Sequence, residues 1–69
     1  MNNDRRKTIN SLISQLEEVL EELNVLESDE REANEAKPES LQNEDAADLL
    51  SNAVTDLENT ISNLGEAAE

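Results

Sequence analysis

The chain contains no cysteine, no histidine, and no phenylalanine, tyrosine or tryptophan. Without cysteine there is no disulfide and no thiolate, and without histidine the commonest metal ligand and neutral-pH acid/base is gone. Without aromatics the core must be aliphatic, and nucleobases have no platform on which to stack. Glycine and proline occur once each, so the backbone has few places to turn. Basic residues are scarce, 5 against 18 acidic ones, and the net charge is −13. Such a surface repels phosphate, which argues against direct binding to DNA, RNA or an anionic membrane. No apolar run approaches the ~18 residues of a membrane span, and no signal-peptide core follows the basic start. A cytosolic protein is the expectation.

What is present is periodicity. Ile9, Leu12, Leu16, Val19, Leu23 and Leu26 follow an unbroken 3-4-3-4-3 spacing, the a/d rhythm of a helix that lies against another helix. Ala47, Leu50, Val54, Leu57, Ile61, Leu64 and Ala68 repeat it. The 69 residues therefore read as one all-α domain over 1–69, an antiparallel two-helix hairpin of coiled-coil type. Helix 1 is expected at about 4–36, the turn at 37–43, helix 2 at about 44–64 and a frayed tail at 65–69. Asn2, Asn3 or Asp4 can cap helix 1, and Pro38 stops it by disfavouring helical geometry at Lys37. Leu41 is the one large apolar group of the turn and is expected to plug the closed end. Asn43 is the expected N-cap of helix 2, and Gly65 invites its C-cap. Arg5, Arg6 and Lys7 oppose the dipole of helix 1 and are expected to neutralise acidic residues on the folded-back helix.

Two registers satisfy the pattern. One sets Ala33 with Ala47, Leu26 with Val54, Leu23 with Leu57, Val19 with Ile61 and Leu16 with Leu64. The other pairs Leu26 with Ala47 and Ile9 with Leu64, and needs a longer turn than compact hairpins favour, so the first is preferred. Ile13 and Leu20 fall at e positions and, with Leu49, widen the apolar stripe beyond a two-stranded seam. A chain this short gains little from one core. Homodimerisation into a four-helix bundle through Ile13, Leu20 and Leu49 is therefore expected.

Chemistry has little to use. Catalytic carboxylate pairs need a pocket that separates their pKa values, and an aliphatic seam offers none. Ser11, Ser14, Ser51 and Ser62 have no histidine to activate them. The acidic cluster at 29–35 lacks the glycine turn of a calcium loop, and di-metal bundle sites use histidine. No catalytic, cofactor or metal residue is assigned, and an enzyme is not expected. The acidic face of helix 1 is the informative feature. Nine carboxylates lie between Glu17 and Glu35, about one for every 3 Å of helix. One strand of DNA carries a phosphate every ~3.4 Å. Glu17, Glu18, Glu21, Glu22, Asp29, Glu32 and Glu35 are the candidate partner-binding residues, and a protein with a basic surface is the candidate partner. The competing reading is a solubilising face with no binding role.

The start Asn3-Asp4-Arg5-Arg6-Lys7, the stretch Ile9 to Glu17, the turn Pro38-Glu39-Ser40-Leu41-Gln42 and the positions Leu57, Glu58, Ile61 and Leu64 carry a resemblance. The chain resembles a group of small acidic helical-hairpin proteins of tailed bacteriophages and prophages, over nearly its whole length. It departs from them in the Asn and Ser of helix 2, in an Ala-poor interior and in Gly65. The resemblance implies no catalytic residues. It implies an inhibitor of a host defence or nucleic-acid-handling protein, of the CRISPR or restriction effector class. The alternative is a structural or assembly adaptor that works by homodimerisation.

Overall fold

The computed structural model describes all 69 residues. Two α-helices, α1 (Asn3–Glu35) and α2 (Asp45–Ala67), pack along each other as an antiparallel hairpin, with a single 3-10 turn (Glu39–Leu41) between them. There is no strand, and the molecule is a rod of 56 × 15 × 10 Å. Helix α1 begins where Asn2, in extended geometry, accepts a hydrogen bond from the Arg5 backbone N–H at 2.8 Å. That cap satisfies an orphan donor in a turn whose three cations oppose the helix dipole. At 33 residues against 23, α1 is longer than α2 by about 15 Å.

The helices meet along a seam that differs in phase from the expected one. On α1 the apolar residues with reduced exposure are Ile9, Ile13, Leu16, Leu20 and Leu23, while Leu12, Val19 and Leu26 are exposed. Ile13 and Leu20, assigned by periodicity to an outward strip, therefore belong to the hairpin interior. The two candidate stripes share Ile9, Leu16 and Leu23, so apolar spacing alone does not choose between them. The polar continuation does. The observed phase turns Glu27, Arg31 and Asn34 toward α2, and Asn34 is buried there. Arg31 bonds Glu27 on its own helix and reaches Asp48 of α2 at 3.3 Å. Glu35 also lies four residues from Arg31, but the ion pairs formed do not include it. The Arg31–Asp48 contact sets the helices close to the register in which Leu23 lies across from Leu57. Leu20 and Asn34 face inward on α1 where the expectation had Val19 and Ala33, whereas Ile61 and Ala47 face inward on α2 as expected. Ala47 is buried and Ala33 is exposed.

The closed end is held by hydrogen bonds instead of an apolar plug. Leu41 is 66% exposed. Asn34 takes its place: it is only 2% exposed, and its Oδ1 accepts from the Asn43 backbone N–H at 2.8 Å. Gln42 Nε2 donates to the carbonyls of Lys37 at 3.1 Å and Glu35 at 3.4 Å, covering open acceptors at the end of α1. Asn43 is not the N-cap of α2: that place falls to Glu44, which makes no side-chain cap bond, and Asn43 sits one residue before it with its Oδ1 accepting from the Asp45 N–H at 2.9 Å. At the other end α2 passes through Gly65 in helical geometry and stops at Ala67. Ala68 is half-buried, so the last turn still rests on α1 and the glycine is not needed as a terminator.

Candidate protein-interaction surface

Very little of this molecule is interior. Three residues are buried, Ala47, Val54 and Asn34, and everything else is half-buried or exposed. Function must therefore be sought on the outer faces of the rod, of which three are distinct.

The first is an acidic ridge. Glu17, Glu18, Glu21, Glu22, Asp29, Glu32 and Glu35 are all exposed, whereas Glu27 and Glu30 are half-buried. At 100° per residue those seven fan over roughly 140° on the side of α1 away from α2. The two ion pairs of the chain both use Arg31, with Glu27 and Asp48. The guanidinium is held above its ordinary pKa by its hydrogen bond to Glu27 first and to Asp48 second. None of the seven ridge carboxylates has a cation within ion-pair distance, so the ridge presents its full charge to solvent. Val25, 56% exposed, sits among them. With Leu26 and Glu18, Glu21 and Glu22 it lines an open, shallow depression. Val25 lies off the heptad spacing, so periodicity does not mark it; the signal that finds it is an apolar residue on a face otherwise made of carboxylates. No group of acidic side chains is arranged to hold a metal ion.

The second is an apolar flank. Leu12, Val19 and Leu26 stand seven residues apart and are 45%, 45% and 53% exposed. They form one line along α1, about 80° before the centre of its seam. On α2 Ala46, Leu49 and Ala53 lie a similar angle before theirs, and Leu49 is 68% exposed. Because the helices are antiparallel, residues displaced in the same sense emerge on the same side of the hairpin. Arg31 and Asp48, both displaced the other way, meet on the opposite side. The rod therefore has one apolar flank, with Leu49 on it as expected and Leu12, Val19 and Leu26 standing where the spacing predicts Ile13 and Leu20.

Comparison of the chain with protein-family models, with curated proteins and with solved structures finds no match. Function has to be read from the surfaces themselves.

The third surface is a basic tip. Arg5, Arg6 and Lys7 hold three of the five basic residues. They lie on the part of α1 that extends past the end of α2 and make no ion pair within the chain. The expected neutralisation of the folded-back helix does not occur: none of the three forms an ion pair, and Arg6, half-buried, has a buried Nε with no hydrogen-bond partner. No helix is long and apolar enough to cross a membrane.

Proposed function

We propose that this protein is a non-enzymatic binding module that occupies the basic surface of a nucleic-acid-handling protein and thereby inhibits it. The observation that carries the reading is the acidic ridge: seven exposed carboxylates on one rigid helix, none with a cation within ion-pair distance in the chain. A mobile acidic tail could carry equal charge, but a helix fixes it at a rise of ~1.5 Å per residue, and that regularity is what a groove shaped for a phosphate backbone can use. The cost of ordering such a ligand has been met during folding, which favours tight association. Val25 in the depression offers an apolar foothold for the aliphatic stem of an arginine or lysine. In context this is an inhibitor of phage type, acting on a host defence or nucleic-acid-processing protein in the host cytosol, as the resemblance to small acidic phage hairpins implies. The second reading, an assembly adaptor, is favoured by the exposed apolar flank and depends on that flank, not on the ridge.

The test is affinity capture from bacterial lysate, followed by a competition assay on the purified captured protein. Wild-type chain should displace its nucleic acid, and raising salt from 50 to 200 mM should weaken the interaction by about tenfold or more, as for phosphate contacts. Glu17→Lys with Glu18→Lys and Glu21→Lys should abolish capture with helicity unchanged. Equal capture by that variant, or a captured protein that keeps its nucleic acid, overturns the inhibitor reading.

A further inference from the structure

We infer that the apolar flank is an antiparallel homodimer interface in which α1 of one copy packs on α1 of a second. The inference does not rest on the proposed function: Glu17, Glu21 and Glu35 of the ridge point away from this flank, whereas Glu22, Asp29 and Glu32 border it. Three observations identify the occupant. First, Leu12, Val19 and Leu26 are evenly spaced, so the line is symmetric about Val19. A two-fold axis there sets Val19 against Val19 of the partner, and Leu12 against its Leu26, with no gap at either end. An isologous contact of this kind is self-complementary.

Second, the charges match only when the two helices run in opposite directions. The same axis carries the basic tip of one copy over the 29–35 segment of the other. Arg5 then falls beside Glu30 of the partner, and Lys7 between its Asp29 and Glu32, each pair on the same side of the crossing. These cations have no intramolecular ion pair. A parallel arrangement would stack the two basic tips on each other and the two 29–35 clusters likewise, which costs free energy twice over. Third, the carboxylate nearest the axis, Glu22, meets Gln15 of the partner, a neutral side chain whose amide can donate to it. The hairpin also needs such a partner: its buried apolar core is Ala47 and Val54, and a chain of this size seldom folds on one thin core.

The absence of cysteine makes the geometry directly testable by oxidation of single-cysteine variants. Val19→Cys should form a disulfide-linked dimer, because its two sulfurs meet at the axis. Leu12→Cys alone and Leu26→Cys alone should not, whereas the two mixed together should cross-link to one another. Cross-linking of Leu12→Cys to itself would show a parallel pairing and overturn the proposal. Sedimentation of the full wild-type chain at up to about 0.5 mM, where any Kd tighter than ~1 mM registers, should show a dimer. A monomer throughout overturns it. Arg5→Glu with Lys7→Glu should weaken the dimer by about tenfold or more, with recovery on adding Asp29→Lys and Glu30→Lys. An unchanged Kd in the first variant would remove the charge match that defines the register.

Discussion

Asn34 does what the apolar residues at the closed end do not. Its Oδ1 is the acceptor for the Asn43 N–H, and its Nδ2 is buried with no partner, so one half of the amide is used and the other is a cost. The side chain is retained in an interior position because nothing smaller reaches the turn and nothing apolar can accept the hydrogen bond. Asn34→Ala should therefore lower stability by about 1–2 kcal/mol, the loss of one clamp and the exposure of one unpaired N–H, partly offset by relief of the orphan amide. Urea unfolding followed by circular dichroism measures it, and a loss below about 0.3 kcal/mol would mean that the turn is held by Gln42 alone. This residue is not legible in the sequence. An asparagine in a polar stretch between Ala33 and Glu35 has no periodic signature, and Leu41 stands out because only it is large and apolar. The structure places Leu41 in solvent, since a three-residue 3-10 turn leaves it no cavity to fill.

At the scale of the helix, the sequence determines much and leaves one choice open. Both helices, their antiparallel order and the break at Pro38 follow from periodicity and one proline. The rotational phase of α1 does not, because two apolar stripes share every other member. Arg31 settles it through Asp48, and a long-range ion pair leaves no trace in local spacing. The end of α2 is hidden for a related reason. Glycine reads as a terminator on its own account, yet Ala68 continues the apolar stripe, is half-buried, and the helix runs past Gly65 to Ala67. Gly65 is helical without a positive φ, and a Cβ built on it meets no atom within 4 Å. Gly65→Ala should thus stabilise the hairpin by about 0.5–1 kcal/mol through reduced freedom of the unfolded chain. Thermal melts should rise by a few degrees, roughly 3–8 °C for a chain of this size. A fall would show that the glycine is required for close packing, which the open space around it contradicts. Elsewhere in α2 the hydroxyls of Thr55 and Thr60 donate to the carbonyls of Ser51 and Asp56 on their own helix, which leaves neither side chain unpaired without adding to helix stability.

For the whole molecule the largest influence outside packing is its own charge. A net −13 sits on a rod only 15 × 10 Å across, and only Arg31 neutralises anything within the chain. The unfolded chain spreads the same charge over a larger volume, so folding brings like charges together and repulsion destabilises the compact state. The direction of the salt effect follows. Exposed ion pairs lose strength as salt is added, but there are only two contacts to lose, both sharing one solvent-facing guanidinium. The ridge carboxylates gain from screening, since their separations along α1 are comparable with the Debye length of ~10 Å at 0.1 M and exceed the ~3 Å reached at 1 M. Raising sodium chloride from 0.02 to 1 M should therefore increase the melting temperature, by roughly 5 °C or more for each kcal/mol of repulsion removed. The measurement must hold chain concentration fixed, because a dimer makes the melting temperature concentration-dependent. A melting temperature that falls with salt would place the stabilising electrostatics in specific pairs instead of in relief of bulk repulsion, and the ridge would then be a built part of the fold. A rise leaves the ridge as charge held at a cost to stability, and charge held at a cost is the property expected of a surface kept for a partner.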